Sequence, residues 1–363
     1  MQGTSIGTRI AGRILGLVVC VGVCQTALAQ GTDTINKKKG DAHTDVEIIK
    51  KTFKAVHWAM AGGAKGEYAW DLIVSVEHGD SPTEFLSGDA AYKEGRYADA
   101  LPDLLKAAKN DSRKVWVFQE STFKAAMCYL RMGKNAEAAK TFADLNAADP
   151  EHQYLLESML WLGRLSMAAG KYDDAEKQLT KLIEVANANE KKKQFYEARV
   201  WKARCFIFQG KLDAAENEFK SVADQSRGVD AKISAMALLG EAECLVAKKN
   251  HTSARDKFNT VIGKFETTSQ DDDELDLLAR AYNGLGETFF YQASPDFKEA
   301  MRAFLKVVTL LEDQTDELPK ALWHAAKCFY ELRGEGKEWA QRSMDLRNQL
   351  RNDYPNSPWA KKW

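Results

Sequence analysis

The chain is poor in the residues that interrupt or staple structure. It has only seven prolines and six cysteines in 363 residues, which leaves no room for a proline-rich rod or a disulfide-dense scaffold. An excess of one charge sign is also missing. The 51 Lys and Arg stand against 52 Asp and Glu, so no surplus of positive charge is available to neutralise a phosphate backbone, which argues against a general nucleic-acid binder. No polybasic or polyacidic tail occurs. Long apolar runs are scarce as well. The one at Ile14 to Cys24 covers about 16 Å as a helix, against a hydrocarbon core of roughly 30 Å, too short for a stable membrane span. What remains is a soluble globular composition, 45% hydrophobic with a mean hydropathy of -0.43, long enough for two or three domains or one elongated array.

The first 29 residues read as a leader. Arg9 and Arg13 precede the apolar run, and Ala27-Leu28-Ala29 supplies a small-x-small cleavage pattern before Gln30. Val19 and Val23 precede Cys20 and Cys24, where a lipoprotein signal needs a small residue, so lipid anchoring is not expected. The expectation is export to the periplasm or cell envelope, with cleavage leaving a mildly acidic chain.

Residues 30–80 differ in pattern from the remainder of the chain. Val46–Ile49, Val56–Trp58 and Leu72–Val76 are short apolar runs separated by glycines, and predict three or four strands in a small β-rich unit. A helix over 45–60 competes, because Val46, Ile49, Phe53, Val56 and Met60 also fall at helical spacing. A unit this small is marginal alone, so it is expected to pack against the rest.

From Ser81 onward the chain repeats itself. Gly95, Gly133, Gly170 and Gly210 are each followed by Lys or Arg. Five and nine residues after them come Ala100/Leu104, Ala138/Phe142, Ala175/Leu179 and Ala215/Phe219, and seven residues before them come Gly88, Ala126, Gly163 and Ala203. Small residues there let two antiparallel helices approach across a tight turn, and the Leu or Phe fills the space beside them. A further Gly-Lys pair occurs at Gly336.

This pattern resembles the tetratricopeptide repeat family. The third copy carries Leu162-Gly163, Gly170, Tyr172 and Ala175, and the second supplies Tyr129, Ala138, Phe142 and Pro150. Three further copies depart from it: Lys249 stands for the turn glycine near Ala242, Ala254 and Phe258; a longer turn with Pro295 follows Leu285-Gly286 and Phe289; and Gly334-Glu335 is inserted between Ala326 and Ala340. The resemblance implies a mainly α fold, a superhelical solenoid of about seven hairpins over residues 81–353 with a tail at 354–363. It also implies that the first helix of each hairpin lines a concave face that receives a protein or peptide. Carried across by alignment, the exposed positions of that face are Met127, Arg131, Arg164, Met167, Arg204, Phe208, Glu243, Glu287, Tyr291 and Lys327. Arg164 and Arg204 should stack one repeat apart, as a clamp for carboxylates or paired with their own repeats' acids.

Four cysteines follow the leader: Cys128, Cys205, Cys244 and Cys328. An even number in an exported chain suggests disulfides, but all four fall two residues after the small position of their hairpins. Equivalent places in adjacent hairpins lie about 10 Å apart, beyond the roughly 7 Å Cα separation of a disulfide. Four free, buried thiols are expected.

No His-Glu-x-x-His, Cys-x-x-Cys, Gly-x-Ser-x-Gly or phosphate-cradling loop occurs. His78, beside Glu77 and Asp80, is the one cluster with metal-like chemistry, and reads better as a polar turn. Asp271–Glu274 reads as a helix cap rather than a calcium loop. The expectation is a non-enzymatic scaffold without cofactor or metal, binding a protein or peptide, with cell-envelope components as further partners. The competing expectation is a cell-wall or glycan binder using the β unit with Trp58 and Trp70.

Overall fold

The computed structural model describes residues 32–110, 114–265, 269, 271–311 and 316–362. The expected leader lies outside them. Two parts succeed one another along the chain, a five-stranded sheet and an array of fourteen helices.

The strands are β1 (Asp33–Lys37), β2 (His43–Lys51), β3 (Ala55–Met60), β4 (Lys65–Ala69) and β5 (Ile73–Glu77), all antiparallel and ordered β4-β3-β2-β1-β5. The two outermost strands are consecutive in the chain, joined only by a short 3-10 turn over Trp70–Leu72. A flat sheet would hold them about 19 Å apart, at roughly 4.8 Å per strand. The sheet must therefore curl on itself. Ile35, Val46, Ile48, Val56 and Ile73 point inward and share one core with Phe85, Ala107, Trp116 and Val117 of the first helices.

The helix competing over 45–60 does not form: Val46 pairs with Met60 and Val56 with Lys51 across β2 and β3, and both valines are buried. Sequence runs located β2, β3 and β5 but missed two strands. In β1 only Ile35 is apolar; Asp33 sets its place, its carboxylate accepting from Ile48 N at 2.9 Å and Gly79 N at 3.2 Å. In β4, Gly66 lies under the Trp58 indole, where a Cβ would come 2.6 Å from the ring.

The helices pair into seven hairpins: α1 (Thr83–Lys93) with α2 (Tyr97–Asn110), α3 (Val115–Arg131) with α4 (Asn135–Ala148), α5 (Leu155–Ala168) with α6 (Tyr172–Ala188), α7 (Lys192–Phe208) with α8 (Leu212–Gln225), α9 (Ala231–Ala247) with α10 (His251–Ile262), α11 (Asp272–Phe290) with α12 (Phe297–Leu310), and α13 (Leu318–Glu331) with α14 (Lys337–Asp353). Stacked in order, they form the solenoid that the repeat spacing implies. The first four turn glycines take φ of 72° to 75°, and the following N–H reaches back to the last turn of the preceding helix, as in Lys134 N to Tyr129 O at 2.8 Å. That six-to-one closure needs a left-handed residue. In the fifth hairpin Lys249 adopts it at φ 61°. The seventh differs. Gly336 is extended, at the N-cap of α14, so its Gly-Lys pair is not a copy of the turn.

Across each hairpin the small residue meets the large one: a Cβ on Gly163 would stand 2.7 Å from Leu179 Cγ, and one on Gly286 2.6 Å from Phe304 Cζ. Leu104, Phe142, Leu179, Phe219, Phe258 and Phe304 are all buried. The repeat pattern did not disclose a second row of glycines. Gly240 and Gly284 make room for Phe219 and Phe258 of the preceding hairpin, so each ring locks two hairpins together. Cys128, Cys205, Cys244 and Cys328 are free and buried, and burial pushes their thiols up to about 11, 11, 12 and 12, far from the thiolate form that reacts.

The sheet is keyed into the array. Phe53, at the tip between β2 and β3, packs with Leu155, Leu156 and Met159 of α5, and its N–H donates to Glu151 O at 3.1 Å. Lys51 pairs with Glu120, both side chains largely buried. His78, at the bend that follows β5, is largely buried. Its ring stacks on Trp116 at 3.6 Å and 5°, its Nδ1 stands 3.4 Å from Asp33 Oδ1, and burial lowers its pKa.

Candidate partner-binding face

Each first helix presents its inner side at fixed offsets from the small residue. One position after it stand Met127, Arg164, Arg204, Glu243, Glu287 and Lys327; six before it stand Glu120, Glu157, Glu197, Met236, Arg280 and Lys320; two before it stand Lys124, Trp161, Trp201, Gly240, Gly284 and His324. These rows share a helix face because their separations are near multiples of 3.6 residues.

The centre of the wall is a stack. The Arg164 guanidinium lies 3.9 Å from the Trp161 ring centroid and 4.4 Å from that of Trp201, and Arg204 lies 5.3 Å from Trp201. Arg164 forms no ion pair within 4.0 Å among the described residues. Its pKa is lowered by burial, with Glu197 offsetting this. With two indoles against the guanidinium, its N–H edges remain to donate, the geometry that suits a carboxylate.

Farther along, charges neutralise one another. Glu243 of α9 is reached by Arg204 Nη2 at 3.8 Å and by Arg280 Nη2 at 3.1 Å, so one carboxylate bridges three successive first helices. Lys320 meets Glu287 at 2.9 Å, and Lys232 meets Asp271 at 2.8 Å. Asp271 also caps α11, accepting from Asp273 N and Glu274 N, as its sequence implied. Burial, then Glu317 and Asp316, push Asp276 up to about 6; burial also raises Glu157, Glu197 and Glu287. A cavity of about 260 Å³ opens among Arg164, Glu197, Trp201, Lys232, Asp276 and Arg280, and one of about 290 Å³ among Glu243, Arg280, Glu287 and Lys320. A larger depression of about 670 Å³ runs along Asp173, Glu176, Lys181 and Glu184; it is the solvated outer side of α6, with no converging groups.

The structure separates the ten sequence-derived positions. Arg164, Arg204, Glu243 and Glu287 stand on this wall. Met127 and Met167 do not present exposed side chains; they are 6% and 9% exposed and fold into the cores around Phe142 and Leu179, because an unbranched apolar chain at the rim gains more by turning inward. Arg131 is exposed at the end of α3. Phe208 lies at a hairpin tip, stacked on Tyr172 at 5.1 Å and 3°. Tyr291 is exposed, with its hydroxyl 3.2 Å from His324 Nε2, and Lys327 lies 5.9 Å from the Trp323 ring. Sequence reasoning missed Trp161, Trp201 and Arg280. The first two were legible, since they stand one repeat apart in the same row.

The tryptophans of the sheet serve packing. Trp58 stacks with Tyr68 at 5.9 Å and meets His43 edge-on at 4.2 Å, and Trp70 Nε1 donates to Thr52 O at 2.7 Å. Among the described residues no group of three or more His, Cys, Asp or Glu could hold a metal ion, and no helix is long and apolar enough to cross a membrane.

Comparison with known proteins agrees with this architecture. Tetratricopeptide repeat family models match residues 85–152 and 166–239. No curated protein matches the chain. Among solved structures, apo RapI is 12% identical over 74% of this chain and 97% of its own, with a TM-score of 0.54. The ATPase with numerous domains and a tetratricopeptide repeat sensor, PH0952 of Pyrococcus horikoshii, is 10% identical over 75% of this chain and 42% of its own, at 0.56. Cut9–Hcn1 of the APC/C is 13% identical over 77% of this chain and 47% of its own, at 0.51. At such identities the likeness concerns the fold, and no catalytic family is indicated. The helical array is a tetratricopeptide-like solenoid, and two stretches of it carry tetratricopeptide repeats that their family models match.

Proposed function

We propose that the chain is a non-enzymatic scaffold that takes a protein or peptide partner on the inner wall of hairpins three to five, as an exported protein of the cell envelope. One observation carries the binding reading: Arg164, lying against Trp161 and Trp201 and left without an ion pair among the described residues. A half-buried cation with no carboxylate in contact is costly to maintain, and an acidic side chain of the partner would complete it. The indoles on either side offer area that costs little conformational entropy. The fold neighbour Cut9–Hcn1 is a hetero-tetramer, which is consistent with a solenoid of this shape serving assembly.

Peptides selected by display against the full chain test the reading. Selected sequences should share an acidic residue, bind at least ten-fold more weakly to Arg164→Ala, and protect α5, α7 and α9 from hydrogen exchange. Selected peptides that bind the variant unchanged and protect other elements would remove the wall as the site. Export is tested separately by sequencing the N-terminus of the chain recovered from its native cell. A start at Gln30 is the expected result, and an intact Met1 would overturn it.

A further inference from the structure

In hairpins two, four, five and six, the residue three before the small position faces the next hairpin. Phe123 stacks on Tyr154, at the start of α5, at 4.1 Å and 10°. Val200 and Leu239 share a core with Ile233 and Leu277 of the following first helices. Asn283 Nδ2 donates to Glu317 O at 3.0 Å, at the start of α13. In α13 the same position is Trp323, and no further hairpin stands beyond it among the described residues. Trp359 takes the place of a following helix. Its ring lies 5.5 Å from Trp323 and 5.1 Å from His324, while Tyr354 and Ala360 pack with Leu318, Leu322 and Leu350.

The segment that delivers Trp359 is not woven into the array. Among the described residues, the backbone bonds after Tyr354 close on the segment itself: Ser357 N to Tyr354 O at 3.0 Å, Ala360 N to Ser357 O at 3.2 Å and Lys362 N to Trp359 O at 3.2 Å. Pro355 and Pro358 have no N–H to give. A cleft of about 420 Å³ separates this loop from Asp316 and Pro319. The indole is thus the principal anchor, and Lys362 rides on its outer face at 3.4 Å.

We propose that the Trp323–His324 face of α13 is a binding site for an indole carried on a proline-flanked segment, that Trp359 is its resident occupant, and that the same segment of a second copy exchanges with it. The chain itself supplies the occupant's chemistry, because a copy of this tail makes the same contacts from another molecule. Exchange of an identical element adds no unfavourable contact. The covalent tether holds the resident tail at an effective concentration on the order of millimolar, so an incoming tail succeeds only when Trp359 is out of place. This site lies apart from the Arg164 wall, and its test does not depend on that reading.

The probe is a fluorescent peptide of residues 353–362, titrated into the full chain and into full-length Trp359→Ala. The variant should bind it at least ten-fold more tightly than the wild type. A peptide with alanine in place of its tryptophan should bind neither, and adding Trp323→Ala to the variant should abolish binding. The proposal is overturned if Trp359→Ala keeps its helical content yet binds no peptide, or if both chains bind equally. It is also overturned if Trp359→Ala loses hydrogen-exchange protection throughout α13 and α14, since the tail is then a fixed structural cap.

Discussion

Hairpins three and four build their inner wall differently from hairpins five to seven, although both use the same rows of positions. In the first group the cations Arg164 and Arg204 lie against indoles. In the second, glycines occupy the indole row at Gly240 and Gly284, and acids and bases meet directly, as Arg280 with Glu243 and Lys320 with Glu287. The difference follows from what each row must accommodate. Phe219 and Phe258 reach into the next hairpin and force glycine there, whereas the smaller Leu179 leaves space in which Trp201 fits. Ring size is not the whole of it, since Trp161 follows Phe142 and packs beside it; at hairpins five and six, however, the reaching ring excludes an indole from the wall.

Acid should expose the comparison most strongly. Burial lowers His324, stacked on Phe304 at 4.6 Å, to about 3, and His152 to about 4. Between those values and the ordinary 6.5 the unfolded chain binds more protons than the folded one. Their stabilisation is therefore complete above pH 6.5 and is lost as the pH falls, at about 1.4 kcal/mol per unit for each group. Asp276 has the opposite sign. Raised to about 6, it favours the fold at low pH and loses that contribution as the pH rises through 6. It lies in the same half as His324, and with solvent screening its 43% exposed side chain, hairpins six and seven should respond less to pH between 4 and 6 than His324 alone would dictate. Asp276→Asn should restore a slope of about 1.4 kcal/mol per unit there, read as hydrogen exchange in α11 to α13. A variant as flat as the wild type would show that the two do not compensate.

Removing the aromatic platform comes next. Trp201→Ala should cost about 2 kcal/mol, less than the roughly 3–5 kcal/mol of a fully buried tryptophan because the ring is only half-buried. The loss, measured by urea unfolding, should be accompanied by a changed environment for Trp161. A cost near zero would mean that the indole serves the surface alone.

Much of this was legible before the structure, and the reasons are residue by residue. The turn glycines could be read because a left-handed closure leaves few alternatives, and the small-to-large pairs because helix approach fixes their spacing. β1 could not, since pairing on both sides and the Asp33 carboxylate hold a segment with one apolar side chain. Rows on the inner wall followed from repeat spacing, but the direction of each side chain did not: Met127 and Arg164 share a row, yet one turns into the core and the other lies across tryptophans. The Trp359 contact left no trace, because the tail has no periodicity to align.

The ionic half should show a smaller, local effect. Glu243→Gln removes the anion shared by Arg204 and Arg280, and should cost about 1 kcal/mol at most, since Glu243 is partly exposed and solvent screens the pair. Glu157→Gln, in the aromatic half, should change stability by less than about 0.5 kcal/mol, because burial already disfavours its charge. Thermal unfolding of the two variants side by side gives the comparison. A greater loss at Glu157 would reverse the assignment of ionic and aromatic halves.

An effect of similar size concerns the turns that let both halves form. Gly133 and Lys249 hold the same left-handed conformation, at φ 73° and 61°, and a Cβ on Gly133 would meet no atom within 4 Å. Space is therefore not what favours glycine there; the backbone is. A side chain in that region costs about 1 kcal/mol, so Gly133→Ala should destabilise by roughly that amount. Lys249→Gly should recover somewhat less, about 0.5 kcal/mol, because glycine also gains freedom in the unfolded chain. Opposite signs from the two substitutions would identify the turn as a shared device that the fifth hairpin keeps under strain. Equal signs would mean that contacts of the Lys249 side chain outweigh its backbone.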